Sequence, residues 1–151
     1  MKSRSEPDNA FNVRPMIQQD ASRLTELYNE LTFGPKTART RRVAAVMAHP
    51  GTTIFGAEAD GRIIGMVTLH ILPNVTYDGS PYALIENVAT SQAYRMRGVG
   101  RQVMRAAIDE AWRQDVYKIM LLTGQKRSAR GFYERVGFNC EDKFGMVMRR
   151  A

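Results

Sequence analysis

A strand, a glycine-rich basic turn and a helix follow one another over residues 82–114, and this order constrains the rest of the chain. Ala83-Leu84-Ile85 leads through Glu86-Asn87 to Val88-Ala89. The run is apolar on both parities except at Glu86 and Asn87, the pattern of an inner strand covered on both faces. Arg95-Met96-Arg97-Gly98-Val99-Gly100 comes next. A helical pattern then starts at once, with Val99, Val103, Met104, Ala107, Ile108, Ala111 and Trp112 on one face. Such a turn gathers backbone N–H groups at a helix N-terminus, where the helix dipole adds partial positive charge. Arg95, Arg97 and Arg101 add full charges. The arrangement suits a polyanion, most simply a pyrophosphate. The alternative is a tight turn whose arginines are only solvated. The pattern is not the dinucleotide fingerprint, nor a P-loop, since no Gly-Lys-Ser/Thr ends it.

The flanking sequence supplies a sheet and its cover. Residues 1–10 are polar and read as a flexible tail, which leaves 11–151 as one domain. Residues 11–15 form a short strand that Pro15 confines to an edge or an end. Asp20 caps a helix reaching about residue 33, with Leu24, Leu27, Tyr28 and Leu31 at helical spacing. A second helix covers 39–48. Residues 52–59 and 62–72 are strands joined by Asp60-Gly61, a two-residue hairpin signal. Gly65 marks a bulge or a close approach. Beyond the long helix come a strand at 117–122, a helix at 128–136 stopped by Gly137, and one or two strands within 138–149. The fold class expected is α/β (mixed α+β), a mixed sheet of six to seven strands with helices on both faces.

Composition narrows the partners. Net charge is +7, with basic residues concentrated at 36–42, 95–105 and 126–135. The last two groups flank the proposed anion site and suit the steering of a polyphosphate. Basic residues do not interleave with aromatics as base stacking would require, so no nucleic-acid partner is expected. No run is long enough for a membrane helix, and no apolar leader segment opens the chain. One cysteine, Cys140, excludes an intrachain disulfide, and two histidines, His49 and His70, make a poor metal set. A reducing cytoplasm, with neither membrane nor metal, is the expected setting.

Arg95-x-x-Gly98-x-Gly100, placed after a strand and the Tyr94-Arg95 pair, resembles the acetyl-CoA signature of the GCN5-related N-acetyltransferases. Ala129-Arg130-Gly131-Phe132-Tyr133-Glu134-Arg135-Val136-Gly137-Phe138 is similar to a second motif of that family, Ala-x-x-Phe/Leu-Tyr-Glu-x-x-Gly-Phe. Ile85-Glu86-Asn87-Val88, Tyr94-Arg95 and Tyr117-Lys118-Ile119 are similar to segments of one subgroup, the glucosamine-6-phosphate N-acetyltransferases. The resemblance implies that the strands at 82–89 and 117–122 run parallel and splay apart. It implies acetyl-CoA as cosubstrate, its pantetheine arm pairing with the backbone of Val88, Ala89 and Thr90 like an added strand. Its pyrophosphate would sit on Arg95, Met96, Arg97, Gly98, Val99 and Gly100, with Arg101 beside it. Where the family often has Asn seven residues before the Tyr, this chain has Lys126, a candidate for a phosphate contact.

The implied reaction is direct transfer of an acetyl group to a primary amine of a small acceptor. An anionic acceptor suits the charge best. A protein N-terminus or lysine is the alternative substrate, and a non-catalytic acyl-CoA-binding module the alternative class. Homodimers are common in the family. Tyr133 matches the family's general acid, since a phenol is protonated at neutral pH and able to protonate the thiolate. Glu86 is the candidate base, because desolvation in a buried strand would raise its pKa; the alternative is a structural carboxylate. A backbone N–H near Val88 is the expected oxyanion donor. His70 could face the acceptor, but reads first as an ordinary bonded histidine, and Cys140 reads as a small core residue.

Overall fold

The computed structural model describes residues 11–31 and 40–151. The tail expected at 1–10 and the loop between the first two helices lie outside the described residues. The chain falls into two compact units, one ending at Met120 and the other Leu121–Ala151.

One five-stranded sheet carries the fold, its strands lying in chain order: β1 (Asn12–Pro15), β2 (Thr52–Ala59), β3 (Arg62–Leu72), β4 (Tyr82–Thr90) and β5 (Ile119–Leu121). The first three pairings are antiparallel. Asp60 and Gly61 turn β2 into β3 with φ of 51° and 72°. Both are left-handed, as a type I′ hairpin that matches strand twist requires. Next to β4 the direction changes. Tyr117 N–H donates to Pro81 O at 3.0 Å and Ala83 N–H to Lys118 O at 2.9 Å. These bonds advance together along both segments, so the pair is parallel. The sheet is therefore mixed, as expected, with five strands among the described residues rather than six or seven. The correction falls on 138–149, which holds no strand. There Asn139 Oδ1 accepts the Glu141 N–H at 2.8 Å, a local turn, and Phe144, Met146, Val147 and Met148 are exposed. Apolar residues make a strand only where a neighbouring ladder takes up the backbone groups.

Helices cover both faces. From α1 (Ala21–Leu31), Leu24 and Leu27 pack on Ile54, Ile63, Met66 and Ala89; Val43 and Met47 of α2 (Thr40–Met47) close the same cluster. On the other face α3 (Val99–Arg113) buries Val99, Val103, Met104, Ala107 and Ala111 against β2, β3 and β4. Trp112, expected on that apolar face, is 52% exposed, so the buried stripe is narrower than the sequence suggests. Asp20, expected as a helix cap, makes its bonds on the other side, toward β1 and the turn before α1. It ends a short 3-10 turn and accepts the Ile17 N–H at 2.9 Å. Arg14 reaches both Asp20 (2.9 Å) and Glu58 (3.0 Å), tying β1 to β2 and to the entry of α1. The Arg14 bond holds the Asp20 carboxyl below the usual carboxylate range.

Gly65 is a close approach, as its position in a strand suggested. A Cβ there would collide with Val99 Cγ1 and lie 3.3 Å from the Ala89 carbonyl. Gly65→Ala is expected to cost about 2 kcal/mol, because the first turn of α3 must move off the sheet. Urea unfolding would read this; an unchanged midpoint would mean that α3 yields freely.

In the second unit α4 (Arg130–Arg135) ends as the sequence predicts. Gly137 is left-handed at φ 107°, its N–H bonds to Glu134 O (3.0 Å), and the Phe138 N–H bonds to Tyr133 O (3.1 Å). This is a Schellman cap, which only glycine closes without strain.

Candidate active site

β4 is interrupted where the sequence shows Glu86-Asn87. Its pairing with β3 passes from Thr68↔Glu86 to Met66↔Ala89, so β4 carries one extra residue. Asn87 takes φ 54°, a value Asn tolerates better than most residues, and its Nδ2 donates to Thr68 Oγ1 at 3.3 Å. This β-bulge swings Asn87 out to solvent while Ala83, Ile85 and Ala89 stay buried. Bulges re-aim the strand that follows, here Val88, Ala89 and Thr90. The pairing with β5 lies at the start of β4, and β5 ends at Leu121 while β4 continues to Thr90.

Nine residues on, the basic turn leads into α3. Met96 and Gly98 are both left-handed, with φ of 60° and 83°. Gly98 is the N-cap of α3, no side chain caps the helix, and its first turn holds no acidic residue. The backbone donors of that turn and the positive end of the dipole thus lack a side-chain anion. Arg95, Met96, Arg97, Gly98 and Arg101 are exposed, while Val99 is buried and anchors the helix start. Arg95 Nε donates to Thr90 O at 3.3 Å, and the Arg97 guanidinium lies 4.9 Å from the Tyr94 ring centre.

In the second unit, Tyr133 is half-buried on α4, with its ring edge-on to Phe132 (5.1 Å) and to Phe138 (6.4 Å). Lys126 is exposed in the turn before α4. Cys140, expected in the core, is exposed, with its thiol 3.7 Å from Glu134 Oε1.

On the sheet face that α1 and α2 cover, a group of polar side chains meets. Thr52 pairs with His70, His70 with Leu84, and Thr68 with Glu86, which places Glu86 diagonally next to His70. Thr52 Oγ1 lies 2.8 Å from His70 Nδ1 and 3.1 Å from His49 Nδ1. Burial lowers the His70 pKa below the ordinary histidine value; the Glu86 carboxylate opposes this and His49 adds to it. Glu86 is half-buried rather than sealed in the core as a strand covered on both faces would have it.

The chain as a whole matches known proteins. The model of the acetyltransferase (GNAT) family matches residues 19–138, most of the chain. The chain belongs to the GNAT family. It is an N-acetyltransferase, and the family uses acetyl-CoA as cosubstrate. A glucosamine 6-phosphate N-acetyltransferase of Trypanosoma brucei brucei is 28% identical over 141 residues, 88% of this chain and 92% of that protein. A putative acetyltransferase from Agrobacterium tumefaciens str. C58 has a solved structure that superposes with a TM-score of 0.85 at 41% identity, covering 92% of this chain and 99% of that one. The glucosamine-6-phosphate N-acetyltransferase of Arabidopsis thaliana shares the fold, with a TM-score of 0.77 at 19% identity over 95% of this chain and 99% of its own.

Within this GNAT chain the first unit gathers Glu86, the Val88–Thr90 segment and the Arg95–Arg101 turn along one strand and the connection that leaves it. Tyr133 and Lys126 belong to the second unit. Two features escaped the sequence reading. One is the bulge at Asn87, whose only signal was an asparagine inside a strand, where it is rare. The other is the His49–Thr52–His70 group. Among the described residues no cluster of His, Cys, Asp or Glu is placed to hold a metal ion, and no helix is long and apolar enough to cross a membrane.

Proposed function

We propose that this enzyme transfers the acetyl group of acetyl-CoA directly to the primary amine of a small anionic acceptor, with an amino-sugar phosphate as the substrate class. The observation that carries the donor half is the left-handed Gly98 at the uncapped N-terminus of α3, with Arg95, Arg97 and Arg101 exposed around it. Backbone donors, the helix dipole and three guanidinium groups together suit a pyrophosphate. The extended backbone after the bulge, Val88 to Thr90, is the partner for pantetheine. Lys126 adds a cation for a phosphate. The acceptor half rests on the net charge of +7 and on the likeness to the trypanosomal glucosamine 6-phosphate N-acetyltransferase.

The chemistry follows from the groups available. A neutral amine attacks the thioester carbonyl, and the backbone N–H near Val88 donates to the oxyanion. Tyr133 gives its phenolic proton to the leaving thiolate and is restored by the proton that the attacking nitrogen sheds as the amide forms. The amine must shed a proton, and Glu86 is the carboxylate of β4 on whose charge that step draws.

CoA release should be measured with acetyl-CoA and, in turn, glucosamine 6-phosphate, glucosamine and a lysine peptide. The phosphorylated sugar is expected to give a kcat/KM about a hundredfold above glucosamine, the scale of two charge-assisted bonds to the phosphate. Preference for the peptide, or equal rates with and without the phosphate, would overturn the acceptor assignment.

A further inference from the structure

We propose that His70 Nε2 receives the proton of the acceptor amine, held as the reactive tautomer by Thr52 and His49 and balanced in charge by Glu86. The assignment rests on the acetyl-transfer reading above and on hydrogen-bond polarity. The Gly51 N–H donates to His49 Nδ1 at 3.2 Å. A backbone N–H has no other role, so His49 Nδ1 is an acceptor and carries no proton. The Thr52 hydroxyl lies 3.1 Å from that nitrogen, and in the proposed relay it shares the lone pair with the Gly51 N–H as the second donor of a three-centre bond. With its one proton committed, Thr52 Oγ1 is left to accept at 2.8 Å from His70 Nδ1. His70 is therefore the Nδ1–H tautomer, and its lone pair is on Nε2.

Three further observations suit a base. Nε2 has no protein partner among the described residues. Thr52 is buried and His70 half-buried, so the ring is held by neighbours rather than by water. Glu86 comes from β4 on one side and His49 from the turn before β2 on the other; among the described residues these are the ionisable groups that act on the ring. The ring is neutral at physiological pH because burial disfavours its cation. When Nε2 takes the proton, an imidazolium forms beside the Glu86 carboxylate. The amine nitrogen keeps its lone pair for the thioester carbon. After product leaves, the imidazolium returns the proton to water. Thr52 and His49 are positioning residues that never meet the substrate.

The arrangement also depends on a sequence irregularity. Around the Asp60-Gly61 turn Ala59 pairs with Arg62, a register that would set Thr52 opposite Leu69. One extra residue in β3, between the Ala57↔Gly65 and Glu58↔Ile63 pairs, moves His70 into place instead.

The test begins with long-range imidazole 15N–1H spectra of the wild-type protein without substrates. His70 should show a protonated Nδ1 and a bare Nε2, and His49 the reverse. A His70 protonated on Nε2 overturns the proposal whatever the enzyme acetylates. The second arm is kcat/KM against pH, with acetyl-CoA and glucosamine 6-phosphate, for Thr52→Val and Thr52→Ser. The valine variant should lose about tenfold near neutrality and shift the acid limb of the profile, while serine restores both. A valine variant with the wild-type profile overturns the relay. Wild-type protein that shows the tautomers but acetylates none of the amines tried would instead remove the acceptor reading beneath it.

Discussion

Tyr133→Phe should lower kcat by about a hundredfold or more while acetyl-CoA affinity stays within about twofold, the usual scale when one positioned proton donor is lost. The substitution is a narrow one. The ring stays, and the ring is what packs edge-on against Phe132 and Phe138. The Schellman cap that fixes Tyr133 uses only its carbonyl, bonded by the Phe138 N–H. Neither contact involves the hydroxyl, so both survive the substitution. With the hydroxyl goes the proton that the proposed mechanism gives to the thiolate. Since that proton moves only in the transition state, the loss belongs to kcat rather than to binding. Calorimetry with CoA and a thiol-release assay separate the two. An unchanged kcat would remove Tyr133 as the acid; a large loss of CoA affinity would make it a binding residue.

How far the sequence could reach is visible in single residues. Asp60-Gly61 declared its hairpin because both left-handed positions were occupied by residues that accept them. The fifteen residues of α3 declared themselves by period, and Gly137 by its place after the last helical turn. These are local signals, settled within one turn or one pair of strands. Asn87 was equally local but conflicted with its surroundings: apolar neighbours said strand, and the bulge came from β3 pairing that no local pattern encodes. The segment 138–149 shows the converse error. Its apolar residues looked like a strand, yet a strand exists only with a partner ladder, and Phe144 and Met148 remain exposed. His70 is bonded, as expected, but its partner was not legible. Its partner Thr52 is eighteen residues away, and the bulge in β3 shifts the pairing by one residue. Along a sheet, a slip of one residue changes every side-chain neighbour.

Gly98→Asp should weaken acetyl-CoA binding by about a hundredfold and leave stability almost untouched, and this contrast makes it a sharp test of the phosphate turn. Gly98 sits at φ 83° with open space where a side chain would go, so no atom is displaced. The backbone strain of a non-glycine residue there is about 1 kcal/mol. Against it, a carboxylate at the N-terminus of a helix with no acidic residue in its first turn gains about 0.3–1 kcal/mol from the dipole. The two effects nearly cancel, and the melting temperature should move by only a few degrees. For a pyrophosphate the same carboxylate is a rival. It takes the helix donors and partly neutralises Arg95, Arg97 and Arg101, and it adds like-charge repulsion where the ligand must settle. Gly98→Ala separates these causes, because it brings the strain without the charge and should lose much less affinity. Normal acetyl-CoA affinity in Gly98→Asp would detach the turn from the cofactor and leave its arginines as solvated charge.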